Sequence, residues 1–148
     1  MDFAIRTVVI DDYDSLYSLW LQVPGMGLND LDDSREGIDR YLKRNPSTCF
    51  CAVENGKLVG AILAGHDGRR GFIHHTAVLP ETQRFGIGSA LVKAAMDALE
   101  REGIHKVNLV AFRNNQKGNA FWEKQGFTLR PDLNYRNKLI HPMKRIDT

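Results

Sequence analysis

Apolar residues in the first third of the chain are spaced first as in a strand and then as in helices. Residues 3–10 form a short run rich in β-branched side chains, which predicts a first strand. Apolar positions then recur at i, i+3, i+4 and i+7, which predicts a helix over about residues 13–22. A second helix is expected to end at Asn45-Pro46, because proline disfavours helical backbone in the residue before it.

The middle of the chain consists of short apolar runs separated by turn residues. Asn55-Gly56 joins runs at 48–54 and 57–65. This dipeptide favours a two-residue hairpin, since both of its residues accept a positive φ. A third run, residues 72–79, ends at Pro80. The pattern predicts an antiparallel meander of three strands.

Helical spacing returns in the last part of the chain. A helix over about 86–102, a strand at 106–111 and a helix near 116–125 are expected, and the tail from 127 to 146 is expected to hold one or two more strands. The element order is β-α-α-β-β-β-α-β-α-β. It predicts one domain over residues 1–148 with an α+β fold and a mixed sheet.

Composition limits the function classes. The chain has 148 residues, 43% of them hydrophobic and 26% charged, as is ordinary for a soluble globular protein. Its net charge of +2 is too small for a nucleic-acid footprint or a polybasic membrane anchor. The chain shows no signal peptide and no apolar run near the ~20 residues that a membrane helix needs. A soluble, cytoplasmic protein is expected.

The two cysteines, Cys49 and Cys51, are two residues apart. Such neighbours on a strand lie about 6–7 Å apart, which is poor geometry for a disulfide. They are predicted to be free core thiols in a reducing compartment.

The segment most informative about chemistry runs from Val78 to Ser89. A strand enters a short loop, and Gly86 and Gly88 then open a helix. The first N–H groups of a helix have no partner within it, and the helix dipole makes that end mildly positive. Glycine also lets the backbone approach a ligand closely. The segment therefore predicts an anion-binding loop suited to phosphates.

Two common nucleotide motifs do not fit this loop. A P-loop ends in Gly-Lys-Ser/Thr, whereas this chain has Gly88-Ser89-Ala90. The dinucleotide fingerprint needs a third glycine where this chain has Leu91, and an acidic residue about 20 positions further on, where none occurs.

Two motifs carry a resemblance to the GNAT N-acetyltransferase superfamily. Gln83-x-x-Gly86-x-Gly88 resembles the family's pyrophosphate loop, Gln/Arg-x-x-Gly-x-Gly/Ala. The block from Asn115 to Phe127 resembles the family's Asn-x-x-Ala-x-x-Phe-Tyr-Glu-Lys-x-Gly-Phe. The resemblance implies a mixed, mostly antiparallel sheet of six to seven strands flanked by about four helices.

The resemblance also implies acetyl-CoA as co-substrate, with no metal. Backbone groups near Ala77, Val78 and Leu79 would pair with the pantetheine arm in a slot between splayed parallel strands. Asn115, Gly118 and Trp122 would lie along that arm, with Trp122 near the thioester sulfur. The pyrophosphate would be held by the loop residues Gln83, Arg84, Phe85, Gly86, Ile87, Gly88 and Ser89, and the outer phosphates would meet Arg84 and Lys124.

Trp122 departs from the family pattern, which often has a tyrosine there to protonate the leaving thiolate. Tryptophan donates a hydrogen bond but has no accessible ionisation. Since a free thiol has a pKa of about 8.5, the thiolate can leave without an acid. Tyr135 or Tyr13 is the alternative acid.

His74 is the predicted general base. Strand alternation would place Phe72, His74 and Thr76 on one face and His75 on the other. In the family, bases on this strand tend to share a face with the position occupied by Thr76. Two histidines pointing apart would not form a metal site.

The predicted activity is direct transfer of an acetyl group to a primary amine within a ternary complex, with a small-molecule acceptor favoured over a protein. Asp30, Asp32 and Asp33 would favour a cationic amine or serve as helix caps. The alternative is a non-catalytic acyl-CoA sensor, to which the change at Trp122 points. No nucleic-acid or membrane partner is expected, and edge strands near the C-terminus would allow a homodimer.

Overall fold

The computed structural model describes residues 2–147 and contains five strands and four helices. The strands are β1 (Ala4–Thr7), β2 (Phe50–Glu54), β3 (Lys57–His66), β4 (Gly71–Val78) and β5 (Val107–Leu109). The helices are α1 (Tyr13–Leu21), α2 (Arg35–Arg44), α3 (Ile87–Arg101) and α4 (Gln116–Lys124). Short 3₁₀ turns lie at Ile10–Asp12 and Pro80–Thr82.

The five strands form one mixed sheet in the order β1-β2-β3-β4-β5. The first four pair antiparallel in sequence, and β5 pairs parallel with β4 after the crossover through α3. Asn55 and Gly56 have φ values of 49° and 75°, as a two-residue hairpin turn requires. The predicted meander and the α+β class are therefore confirmed.

Helices cover both faces of this sheet. A Cβ atom added at Gly60 would lie 3.0 Å from Ile87 Cγ2 of α3, whereas one added at Gly65 would lie 2.6 Å from Tyr41 Oη of α2. Since these glycines are an odd number of residues apart on β3, they point to opposite faces. One face thus packs on α3 and the other on α2.

The core follows the predicted helical stripe closely. Leu16, Leu19 and Trp20 of α1 are fully buried or nearly so. Cys49 and Cys51 are buried free thiols, as expected from their spacing. Within residues 2–147, no helix is both long and apolar enough to cross a membrane.

The predicted C-terminal strands are absent, so the expectation of six to seven strands was wrong. Among the described residues of the tail, 127–147, the one β contact is an isolated bridge between Arg145 and Asn29. Apolar and polar residues alternate here as in a strand, but a strand forms only where a second strand supplies hydrogen-bond partners. The tail has no such partner over most of its length.

Replacement of Leu16 by Ala should cost about 2–5 kcal/mol of unfolding free energy, because Leu16 is 0% exposed and the change leaves a cavity between α1 and the sheet. Leu21→Ala is the matched control on the same helix, since Leu21 is 54% exposed, and should change stability by no more than about 0.5 kcal/mol. Urea unfolding of both variants measures the difference. Equal losses would contradict the packing described for α1.

Candidate functional site

A slot opens where β4 and β5 part. The two strands pair only between residues 71–73 and 107–109. β4 continues to Val78 and stays paired with β3 along its other edge. Among the described residues, the edge of β4 that faces away from β3 therefore has no strand partner over residues 74–78, as expected if the two parallel strands splay apart.

The register of β4 decides which peptide groups face this slot. The Leu79 N–H donates to the Val59 carbonyl at 2.9 Å, so Leu79 and, by alternation, Ala77 turn toward β3. Thr76 and Val78 turn toward the slot. Val78 is thus the one of the three predicted residues, Ala77, Val78 and Leu79, whose peptide group faces the slot. The Val78 carbonyl accepts from Gln83 Nε2 at 3.2 Å.

The loop before α3 has an unusual backbone conformation. Arg84 and Gly86 have φ values of 78° and 81°, and no side chain of residues 2–147 caps the helix. The Ala90 N–H makes the first helical bond, to the Gly86 carbonyl at 3.0 Å. The N–H groups of residues 87–89 therefore lie outside the helical ladder, and all of residues 83–89 except Ile87 and Gly88 are exposed. This geometry favours an anion.

The two loop glycines have different structural roles. A Cβ added at Gly86 would meet nothing within 4 Å, so glycine is needed there for its positive φ and leaves open space beside the helix end. A Cβ added at Gly88 would lie 3.1 Å from Phe121 Cε1. Gly88 therefore allows close packing between α3 and α4.

The second motif, from Asn115 to Phe127, forms the start of α4 and connects this helix to α3. Asn115 Oδ1 accepts from the Gly118 N–H at 3.0 Å, which makes Asn115 the N-cap of α4. A Cβ at Gly118 would lie 2.5 Å from Asn115 Nδ2, so the cap depends on glycine at this position. Gln125 Nε2 donates to Ser89 Oγ at 3.0 Å and joins the end of α4 to the start of α3.

Trp122 belongs to an aromatic cluster formed by α4 and the residues just after it. Its half-buried ring packs edge-on against Phe121 and Phe127, with ring centroids 5.0 and 5.3 Å away. The alternative acids lie elsewhere. The Tyr13 hydroxyl donates to the Asp33 carbonyl at 2.6 Å, and Tyr135 is 68% exposed in the tail.

A β-bulge interrupts the alternation of β4. Thr76 lies opposite Ile62 of β3, whereas Ile73 lies opposite Ala64. Two residues of β4, His74 and His75, therefore stand opposite a single residue of β3. The predicted assignment of these histidines to opposite faces was wrong, because a strand pattern alone does not reveal an inserted residue.

Both histidines consequently face the helices α1 and α2. The His74 ring packs against Tyr41 of α2 at 5.4 Å and against Phe72 at 4.7 Å between centroids. The His75 ring packs against Trp20 of α1 at 4.9 Å. The bulge thus brings two imidazoles together beside the N-terminal helices.

His75 is held by a buried carboxylate. Its Nε2 lies 2.6 Å from Asp33 Oδ1, and Asp33 is only 5% exposed. The other carboxylate oxygen accepts from the Asn29 N–H at 2.8 Å. An ionised carboxylate can only accept, so Nε2 of His75 carries the proton in this pair.

His74 is the freer of the two histidines. Although part of the residue is open to solvent, desolvation lowers the pKa of His74 below its ordinary 6.5, and the neighbouring His75 lowers it further. Asp33 and Asp32 act more weakly in the opposite direction. The His74 imidazole is therefore neutral at pH 7 and able to accept a proton.

Sequence reasoning missed the Asp33 pair. Asp33 was one of several carboxylates near a predicted helix start, yet the cap is Ser34, whose Oγ accepts from the Gly37 N–H at 3.0 Å. Asp30 accepts from the Lys144 N–H, and Asp32 from Asn29 Nδ2. The sequence offered one signal: Asp33 stands next to Ser34, which suffices as the helix cap without it. The partner of Asp33, His75, lies 42 residues away, so neighbouring residues do not reveal the pair.

Among the described residues, three buried polar atoms near the histidine pair or the slot have no hydrogen-bond partner in the protein. They are Trp20 Nε1, Tyr41 Oη and Thr76 Oγ1. Trp20 and Tyr41 supply the rings that pack on His75 and His74. Three buried polar atoms without a partner are thus concentrated in this part of the fold.

Comparison with known proteins places this geometry in a family. The sequence model of the Acetyltransferase (GNAT) family matches residues 13–127. A protein of Pectobacterium atrosepticum named acetyltransferase is 29% identical over 120 residues, which cover 81% of this chain and 84% of that protein. Another acetyltransferase, from Sodalis glossinidius, is 29% identical over 129 residues, covering 87% and 89%.

A solved structure shows the same fold. The PaiA N-acetyltransferase of Thermoplasma acidophilum, in complex with coenzyme A, matches with a TM-score of 0.75 at 21% identity, over 88% of this chain and 92% of that one. The family model spans most of the chain and includes both sequence motifs, the slot and the bulge. The chain therefore belongs to the GNAT acetyltransferase family.

Proposed function

We propose that this protein transfers the acetyl group of acetyl-CoA to a primary amine by direct attack within a ternary complex. The observation that carries the proposal is the slot beside Val78, which leads to the uncapped N-terminus of α3. The slot offers a free strand edge and the helix end offers free N–H groups. This combination suits a ligand with an amide-containing arm and a pyrophosphate at one end.

The residues present fit this donor. The peptide group of Val78 would pair with the pantetheine arm, and Ala77 and Leu79 would hold Val78 in place through their bonds to β3. The N–H groups of residues 84–89 would hold the pyrophosphate, for which the open space at Gly86 leaves room. Arg84 and Lys124 are exposed cations available to the outer phosphates.

The rest of the donor site would have supporting roles. Gln83 would orient the Val78 carbonyl, and Phe85 and Ile87 would fix the loop at its exposed and buried sides. Asn115 and Gly118 would position the start of α4, and Ser89 would be held by Gln125. Trp122 would contribute an apolar wall and an N–H donor near the thioester.

His74 is proposed to take the proton from the attacking ammonium. When bound, acetyl-CoA supplies an activated thioester, and attack by the amine on its carbonyl carbon releases the CoA thiol. His74 is neutral at pH 7 and packs against Tyr41, and no carboxylate in the described part of the chain is hydrogen-bonded to it. His75 is bound to Asp33 and would position the bulge rather than accept this proton.

No tyrosine is needed as acid. A thiol with a pKa of about 8.5 leaves readily as the thiolate, and the proton held on His74 can return through water. Burial raises the pKa of Tyr41 far above its ordinary range, so this phenol stays protonated and serves as a packing surface for His74.

A small amine is the proposed acceptor. The segment between α1 and α2 reaches the chain that follows β5, because a Cβ at Gly27 would lie 3.4 Å from the Phe112 ring and one at Gly25 would lie 3.7 Å from Asn115 Nδ2. We infer that this contact would narrow the acceptor's approach to the slot. A compact amine passes such an opening more easily than an extended peptide.

The proposal is tested by acetyl-CoA-dependent thiol release against separate pools of small amines, amino acids and peptides. Release above the no-acceptor rate in one pool supports the transferase and names the acceptor class. Tight acetyl-CoA binding without release in any pool would favour a sensor without activity, which no observation on the structure supports. Absence of both binding and release would refute the proposal.

Gly86→Ala should weaken CoA binding about tenfold or more, because its Cβ would occupy the open space at the start of α3. Gly103→Ala is the matched control. Gly103, beyond the other end of α3, has nearly the same φ, 83° against 81°, and equally open surroundings. Both variants bear the same backbone strain of about 1–2 kcal/mol. Titration calorimetry with CoA measures the affinities, and equal losses in both variants would contradict the pyrophosphate assignment.

His74→Gln should lower kcat/KM by about 10²- to 10⁴-fold at pH 7, because the ammonium acceptor then lacks a base. Since the pKa of His74 is below 6.5, the wild-type rate should fall only when the pH drops below that value. The deficit of the variant should shrink as the pH approaches the amine's own pKa, about 10.4 for a lysine-like acceptor. Full pH–rate profiles measure both effects.

The control for this measurement is His105→Gln, which changes an exposed histidine before β5 and should leave the profile unaltered. A deficit in His74→Gln that stays constant with pH would indicate a structural role for His74. An unchanged rate in His74→Gln would exclude it as the base.

A further inference from the structure

The sheet alone does not fix the directions of the two histidines at the β-bulge. His74 and His75 together stand opposite Leu63, the residue of β3 between Ile62 and Ala64. In a regular ladder, paired hydrogen bonds fix the face to which each side chain points, whereas at a bulge the ladder is interrupted and one residue stays unpaired. Side-chain contacts must therefore hold this stretch of β4 in place.

The two imidazoles are held in different ways. The His74 ring packs on Tyr41 and Phe72, and within residues 2–147 its nitrogens make no hydrogen bond. The His75 imidazole donates its Nε2–H to Asp33 Oδ1 over 2.6 Å. Ring packing tolerates a range of centroid distances, about 4.5–7 Å, whereas a hydrogen bond has a narrow preferred length and direction. The bond between His75 and Asp33 is thus the directional restraint on the bulge.

Asp33 is itself firmly fixed. Its second oxygen, Oδ2, accepts from the Asn29 N–H at 2.8 Å, and its backbone carbonyl accepts from the Tyr13 hydroxyl at 2.6 Å. The side chains of Asp33 and His75 are 6% and 14% exposed. Removing an ionised carboxylate from water costs free energy unless hydrogen bonds compensate. Helix capping does not explain this placement, since Ser34 caps α2, whereas a role at His75 does.

We propose that Asp33 is a positioning residue of the acetyl transfer, which fixes the bulge through His75 and so keeps His74 in place as the base. The inference rests on the proposed function, since it requires transfer to an amine with His74 as the proton acceptor. The donor site is formed by Val78 and residues 83–89, which are held by other hydrogen bonds. The effect of Asp33 should therefore appear in the rate of the chemical step and not in donor binding.

Asp33→Asn keeps the shape of the side chain but leaves one acceptor oxygen for two donors, the His75 Nε2–H and the Asn29 N–H. The peptide N–H cannot change, whereas an imidazole can move its proton to Nδ1. The variant should therefore hold His75 as the other tautomer, which imidazole nitrogen NMR reports. With the small-amine pool as acceptor, kcat should fall about tenfold or more, since a small displacement of a catalytic group is costly, while KM for acetyl-CoA stays unchanged.

Two variants of His75 separate a hydrogen-bonding role from a proton-accepting one. His75→Leu cannot donate to Asp33 and should lose as much of kcat as Asp33→Asn. His75→Gln retains an N–H for Asp33 Oδ1 and should restore most of that rate. In the His74→Gln background, Asp33→Asn should lower kcat no further, because a base that is absent cannot be misplaced. Asp39→Asn, which changes a carboxylate paired with Lys43 on α2, is the matched control and should leave every readout unaltered.

Three results would overturn this assignment while the wild type is active. The first is an unchanged kcat in Asp33→Asn. The second is an equal loss from Asp33→Asn with and without His74, which would indicate a general effect on the fold. The third is a His75→Gln variant as slow as His75→Leu, and this pair decides the matter even where Asp33→Asn does not fold. A wild type without thiol release against any pool would instead overturn the proposed function, on which the inference rests.

Discussion

The candidate site depends on the parting of β4 and β5 after three residue pairs. A strand edge carries peptide groups that need partners, and the partners of Thr76 and Val78 on this side cannot come from the sheet. The crossover through α3 adds the second element, because the helix that links the two parallel strands must begin close to the end of β4. One topological feature thus supplies both the free edge and the free helix end, and neither depends on a side chain of unusual chemistry.

The bulge in β4 supplies the two histidine side chains, whereas the slot itself offers backbone groups. A regular strand would turn one of the adjacent histidines toward α3, whereas the extra residue turns both toward α1 and α2. Their environments then differ. His75 is hydrogen-bonded to the carboxylate of Asp33, which is 5% exposed. Desolvation and the neighbouring His75 lower the pKa of His74, which keeps that imidazole neutral. A buried carboxylate is costly unless it is hydrogen-bonded, and Asp33 accepts from both His75 and the Asn29 backbone.

The sequence predicted best those features that depend on residues close together in the chain. The hairpin at Asn55-Gly56, the stripe of α1 and the glycine loop before α3 each follow from residues within a few positions of one another, and all are observed. The bulge could not be read from alternation, because it exists only in the register between β4 and β3. The Asp33–His75 pair joins residues 42 positions apart. The alternation of the tail predicts strands that form only when a partner strand is available.

Hydrogen bonds connect the C-terminal tail of the chain to the histidine pair. The tail, residues 127–147, returns to the segment between α1 and α2, where Leu28 N–H donates to Asp147 Oδ1 at 2.7 Å and Asp30 N–H donates to the Lys144 carbonyl at 3.0 Å. Asn29, between those two residues, donates its N–H to Asp33, and Asp33 holds His75. A continuous set of hydrogen bonds therefore runs from the end of the tail to the bulge. Whatever restrains the tail therefore also restrains residues 28–30 and, through Asp33, the position of His75.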